Sequence, residues 1–146
     1  MRFGPVTTAG RASELDIAGD RRALTASFSD FEVTVEPASA EPDATRSFSM
    51  TVPLTAGVEG ETLRVHPHGF AFLEGGAKAS VTLQGGGRQI IKGFATGAED
   101  SFVETLELPA RPGVTYQLTF AIAVDRGASA EGIGYLSIAA IDIAIR

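Results

Sequence analysis

The sequence predicts an all-β fold, a two-sheet antiparallel sandwich of jelly-roll type with about eight strands, and three observations carry that prediction. The first is period-two alternation. Val114, Tyr116, Leu118, Phe120, Ile122 and Val124 are apolar at every second place, with Thr115, Gln117, Thr119, Ala121 and Ala123 between them. The second is punctuation: 17 Gly and 7 Pro fall largely between the alternating stretches, where they favour chain reversal and disfavour regular helix. The third is composition, 44% hydrophobic and 21% charged, which is that of an ordinary globular domain and not of a disordered chain. One polar face per strand points to antiparallel pairing, since a parallel sheet flanked by helices is apolar on both faces.

Taken in order, residues 11–20 fit either one helical turn capped by Ser13 or a first edge strand, and residues 1–20 as a whole fit a peripheral arm of a single domain spanning 1–146. A strand is predicted at Leu24–Phe28, and another where Phe31, Val33 and Val35 alternate with Glu32, Thr34 and Glu36. Pro37 to Thr45 reads as a solvated loop. Phe48, Met50, Val52 and Leu54 alternate with Ser47, Ser49, Thr51 and Pro53, and the proline confines its end of the strand to an edge or a terminus. Further strands are predicted at Leu63–Val65, Phe70–Leu73, Ala77–Leu83, Arg88–Phe94, Phe102–Leu108 and Ile133–Ile145, with glycine-containing turns between most of them. The predicted core holds Phe31, Val33, Phe48, Met50, Val52, Phe70, Phe72, Val81, Leu118, Phe120, Ile122, Ile141 and Ile143. In the last strand Leu136, Ile138 and Ala140 stand opposite Tyr135, Ala139 and Ile141, so its first part reads as apolar on both faces. Such a strand needs a second cover, either the N-terminal segment or another copy of the chain, and this is the ground for expecting a homo-oligomer.

The stretches Phe31–Val35, Arg46–Leu54 and Gly69–Val81 together resemble an uncharacterised family of secreted bacterial and fungal β-sandwich proteins, over roughly residues 24–84. This chain has none of that family's cysteines, and its first residues do not read as that family's leader peptide. The resemblance implies a sandwich fold and no particular activity. Val114 to Ile145 also resembles jelly-roll binding modules in its long paired strands, which is a likeness of architecture and not of function.

Composition excludes several kinds of chemistry. With no Cys, the chain has no disulfide, thiol nucleophile, zinc–thiolate site or iron–sulfur cluster. It has no Asn and no Trp, so there is no N-glycosylation acceptor and the strongest aromatic platform is missing. The net charge is −6, and the most basic stretch, 61–95, supplies only Arg64, Lys78, Arg88 and Lys92. Nucleic acid and anionic membrane surfaces are therefore disfavoured as partners. No run approaches the ~18 apolar residues that span a bilayer. Met1 to Thr8 carries one positive side chain and no apolar run, so it does not read as a secretory signal; the compartment stays open between the cytoplasm and secretion after loss of a leader.

Few residues suggest a site. His66-Pro67-His68 places two imidazoles on one face of an extended chain, with Arg64 beside them. A metal centre needs three or four ligands, only Glu61 or Glu74 lies near, a neighbouring cation opposes binding, and Pro67 suggests a bend that separates the rings. No metal and no cofactor are therefore expected. Glu104, in register with Phe102 and Leu106, is the best general acid or base, and Lys92 its conceivable partner. Gly85-Gly86-Gly87-Arg88 reads as a hairpin turn and not as a phosphate loop, because a strand follows it. Asp125 and Glu131 offer hard oxygens without a calcium series. For a carbohydrate the only amides are Gln84, Gln89 and Gln117, and Tyr135 is the aromatic to test. The expected function is a non-catalytic binding or structural module acting through protein contacts, with self-association. The alternative is a carbohydrate or small-ligand module using His66, His68, Arg64, Tyr135 and Asp125, and a metal-dependent hydrolase comes third.

Overall fold

Alternation builds two layers whose apolar faces meet. The computed structural model describes residues 1–146 except Arg11, Ser13, Ser39, Ala40 and Ser129. Its strands are β1 (Thr7–Ala9), β2 (Glu14–Ile17), β3 (Ala23–Ser27), β4 (Glu32–Val35), β5 (Asp43–Pro53), β6 (Glu61–Glu74), β7 (Lys78–Gly85), β8 (Arg88–Phe94), β9 (Glu99–Val103), β10 (Leu106–Ala110), β11 (Thr115–Asp125) and β12 (Ile133–Ile145). The five-stranded sheet has the order β1-β5-β11-β7-β8. The seven-stranded sheet has the order β10-β6-β12-β3-β2, with β4 also on β12 and β9 also on β6. β3 with β4, and β9 with β10, each lie along one side of a longer neighbour and act as single interrupted strands. Counted that way, and with the short edge strands β1 and β2 set aside, eight strands remain. Their chain order passes repeatedly from one sheet to the other, as a jelly roll does.

The inner faces fill the space between the layers. Phe48, Met50 and Val52 of β5, Leu118, Phe120 and Ile122 of β11, and Val81 and Leu83 of β7 meet Leu63, Val65, Ala71 and Leu73 of β6 and Leu136, Ile138, Ile141 and Ile143 of β12. At one end Phe28, Phe31, Phe48 and Phe120 form a chain of edge-on and tilted rings with centroids 4.8–6.4 Å apart. Among the described residues, no polar or charged one is fully buried.

Several expectations need correction. The first twenty residues are woven into both sheets: Phe3 is 1% exposed and bridges to Leu54, β1 pairs with β5, and β2 pairs with β3. The edge-strand reading of 11–20 thus holds for Glu14–Ile17, while Ser13 lies outside the described residues. Leu63–Val65 and Phe70–Leu73 belong to one continuous 14-residue strand. Pro67 fits inside it because its carbonyl accepts the Glu104 N–H. The same edge of Pro67 would carry its missing donor, and it faces the break between β9 and β10, where no ladder partner waits. Along this strand Leu63, Val65, Ala71 and Leu73 point inward, so Phe70 and Phe72 are not core residues: they lie on the outer face, with Phe70 37% exposed. The expected strand Phe102–Leu108 is broken at Glu104 and Thr105. Finally, β12 is not apolar on both faces. A bulge between Ile138 and Ala140 shifts the register and turns Ile141 inward, leaving Tyr135, Ser137, Ala140, Asp142 and Ala144 outside. The need for a second cover disappears with that shift, and with it the sequence-based ground for a second copy of the chain.

Candidate functional site

The outer face of the seven-stranded sheet gathers four of the five predicted site residues. Arg64, His66, His68, Phe70 and Phe72 are successive outward side chains of β6, because residues two apart share a face. Eight residue steps at ~3.4 Å make this strip about 27 Å long. β12 runs antiparallel beside it and sets Ala144 opposite Arg64, Asp142 opposite His66, and Tyr135 opposite Phe72. Pro67 does not separate the two imidazoles, since the bulge that adjusts the register sits on β12.

The strip has a polar and an aromatic half. In the polar half, His68 Nε2 lies 2.6 Å from Asp142 Oδ2, within ion-pair distance, although Nε2 has no aligned hydrogen-bond acceptor. Thr25 Oγ1 donates to Asp142 Oδ1 at 2.6 Å, and His66 Nδ1 lies 3.0 Å from Thr105 Oγ1. Arg64 Nε lies 3.1 Å from Glu107 Oε1, which answers its charge. Thr25, Arg64, His66, His68 and Asp142 border a shallow groove of about 570 Å³ that Val103 and Ala144 also line. In the aromatic half, half-exposed Phe72 and Tyr135 are cross-strand partners with Phe70 next along β6. Tyr135 Oη donates to Glu32 Oε2 at 2.7 Å. That bond to a carboxylate holds the phenol above its usual range, because deprotonation would set two anions together.

Asp125 does not join this face. It ends β11 in the other sheet, and its Oδ1 accepts the Gly127 N–H at 2.7 Å. Sequence reasoning missed Asp142, Thr25 and Glu32 here and proposed Glu61 or Glu74 beside the histidines instead. Glu61 is taken by Arg22, whose Nη2 lies 2.6 Å from Glu61 Oε1; this bond lowers the carboxyl and raises the guanidinium. Among the described residues, no three His, Asp or Glu converge as a metal site requires. Glu104 is half-buried, Lys92 is exposed with Nζ 5.8 Å from the Phe94 ring centre, and the two do not pair.

No protein-family model and no curated protein matches the chain. Among solved structures, it is similar to TmCBM61 in complex with β-1,4-galactotriose, at 16% identity over 99% of this chain and 90% of that one, with a TM-score of 0.35. Dimeric latent PorU of Porphyromonas gingivalis is 14% identical over 94% of this chain and 13% of its own, with a TM-score of 0.38. The exo-β-1,3-galactanase of Phanerochaete chrysosporium bearing β-1,3-galactotriose is 12% identical over 84% and 32%, with a TM-score of 0.32. At these TM-scores the likenesses carry nothing about what this chain binds.

Proposed function

We propose that the protein is a non-catalytic module that binds an extended carbohydrate along the outer face of the seven-stranded sheet. The observation that carries this reading is the juxtaposition on β6 and β12 of Phe70, Phe72 and Tyr135 with His66, His68 and Asp142. A pyranose presents C–H groups on its broad faces and hydroxyls around its rim. It needs an aromatic surface next to side chains that both donate and accept, and this strip supplies both along one strand pair, on either side of the β12 bulge. The groove is shallow and open, so it suits a segment of a chain more than an engulfed small molecule. Side chains fixed on central strands of a sheet lose little freedom on binding, which favours affinity.

The test is an array of neutral and acidic oligosaccharides followed by isothermal titration of any hit against Phe70→Ala, His68→Ala and Tyr135→Ala. Each variant should weaken binding at least ~tenfold, the loss of one good contact. An array without a single hit, or a hit indifferent to all three substitutions, refutes the proposal. Protein contact is the second reading, and one observation favours it: Ile91 is 64% exposed in the middle of β8, an edge strand of the five-stranded sheet. Light scattering at rising concentration tests its self-associating form, and a monomer throughout removes that form.

A further inference from the structure

The opposite surface of the sandwich has a different chemistry. The outward residues of β5, β7, β8 and β11 are mostly hydroxyls, amides and alanines, with Ile91, Pro53 and Gly93 among them. Asp43, Lys78 and Asp125 stand together at one end, and past that row the outward positions of these four strands carry no charge; the exposed Arg46, Arg88 and Lys92 have the parity of the inner face. On a chain of net charge −6, a neutral sheet face is a particular surface. The far end of this face holds all three carboxamides of the sequence. Gln89 stands opposite Gln84, Gln84 opposite Thr119, and Thr119 opposite Ser49, a row across four strands about 14 Å wide at ~4.8 Å per strand. Gln117 lies one outward position along β11, and its Oε1 accepts from Thr51 Oγ1 at 2.7 Å, while no described residue accepts from its amide N–H groups. Among the described residues, neither Gln84 nor Gln89 has a side-chain partner. Gln84, Gln89, Gln117 and Thr119 line one groove of about 470 Å³, closed at its end by the Gly85–Gly87 turn. Arg88 also lines this groove, at its rim, where its Nη1 donates to the Glu107 carbonyl at 2.9 Å.

We infer that this groove is a second binding site, for an uncharged polyhydroxylated ligand, namely a segment of a neutral polysaccharide crossing the strands from Gln89 to Ser49. Each carboxamide offers a donor and an acceptor side by side in one plane, which matches a pair of neighbouring hydroxyls, and each Thr or Ser hydroxyl can take either role. Apart from Arg88, whose Nη1 is held by a backbone carbonyl, the described residues lining the groove are uncharged, which selects against cationic ligands and leaves an anionic one a single, partly engaged partner. The turn fixes the groove's end: Gly86 and Gly87 have φ of 56° and 77°, the two positive values that a type I′ hairpin requires. The site shares no residue with the Phe70–Tyr135 face, so the molecule can hold two chains, or two segments of one, on its two sides.

Affinity electrophoresis of the whole protein through gels containing a β-galactan, a xylan, a β-glucan or a dextran tests the inference. Gln84→Ala with Gln117→Ala should reduce retardation by at least one of these polymers ~tenfold, while Phe70→Ala with Tyr135→Ala leaves that retardation measurable. Gln84→Glu with Gln117→Glu keeps the side-chain shape and replaces the donors by charge. It should abolish the same retardation, and it serves if the alanine pair does not fold. Retardation unchanged in both glutamine double variants overturns the second site. If Phe70→Ala with Tyr135→Ala then removes it, the first face stands alone. A wild-type protein retarded by none of the four overturns the inference as well.

Discussion

Gly69→Ala is the sharpest test of the strand pair that builds the candidate face. Gly69 faces Ile138 of β12 in the register, and Phe102 of β9 stands beside it with its ring over the missing side chain. A Cβ at this position would lie 1.9 Å from the Ser137 carbonyl oxygen and 2.6 Å from Phe102 Cζ. Ordinary C···O contacts are ~3.3 Å or longer, so β6 and β12 must part by about 1.4 Å at the bulge. Overpacking of this kind costs ~1–3 kcal/mol, and weakening one or two flanking ladder bonds adds ~1 kcal/mol each. About 3 kcal/mol is therefore expected, a large share of the ~5–15 kcal/mol that holds a domain together, with Tm falling by about 10 °C. Urea unfolding measures it against Gly93→Ala, another strand glycine whose Cβ would meet nothing within 4 Å and which should stay within ~1 kcal/mol of wild type. If Gly69→Ala proves as mild as Gly93→Ala, the close approach of β6, β9 and β12 is wrong, and the geometry of the face falls with it.

Other outcomes follow from the same coordinates. Phe70→Ala should cost under ~1 kcal/mol while Phe48→Ala, 2% exposed within the aromatic chain, costs ~3–5 kcal/mol in the same urea assay; near-equal costs would return Phe70 to the core. Tyr135 ionises above its ordinary value of 10.0 because of Glu32, so the fold favours the protonated phenol. That contribution is complete below pH ~10 and is lost as pH rises through the folded-state value, and in Glu32→Gln the phenolate absorbance should emerge at lower pH than in wild type. Glu61 is lowered from 4.5 by Arg22, so its contribution is present above that value and lost as pH falls through the folded-state value. Glu61→Gln should therefore be less stable near pH 7 and lose less on acidification, and a parallel pair of pH–stability curves would refute the role of this ion pair.

Much of the architecture was legible because alternation is a local signal. The limits of β8 and β12 were foreseen to the residue, and His66, His68 and Arg64 were placed on one face by spacing alone. What failed was long-range or ambiguous in parity. The bulk of phenylalanine argues for Phe70 and Phe72 inside, yet Arg64, His66 and His68 have the same parity and cannot all be inside. Reading through Pro67 and Gly69 as one strand would have turned the aromatics out. The β12 bulge leaves no trace among Ile138, Ala139, Ala140 and Ile141, where every residue is apolar. Asp142 was legible as an outward residue between Ile141 and Ile143, but its meeting with His68 depends on pairing β6 with β12, which no local pattern encodes. The break at Glu104 and Thr105 was invisible for a related reason: it is fixed by the need of Pro67 for a neighbour without a matching ladder bond.

A sandwich commits every second residue of its strands to the space between the sheets, and here that commitment is complete, since none of the described buried residues is polar or charged. Whatever the chain recognises must then be written in the opposite parity, where side chains are released from packing. The two outer faces use that freedom differently. The outward positions of β6 and β12 carry rings, imidazoles, a guanidinium and carboxylates, whereas those of β5, β7, β8 and β11 carry mostly hydroxyls and carboxamides, with Asp43, Lys78 and Asp125 at one end. Solubility alone would be served by scattering charge over both faces. Two sheets with the same duty toward a common core, yet with sorted and dissimilar exteriors, are what two separate recognition surfaces require, and the variants on Phe70 and Gln84 address them one at a time.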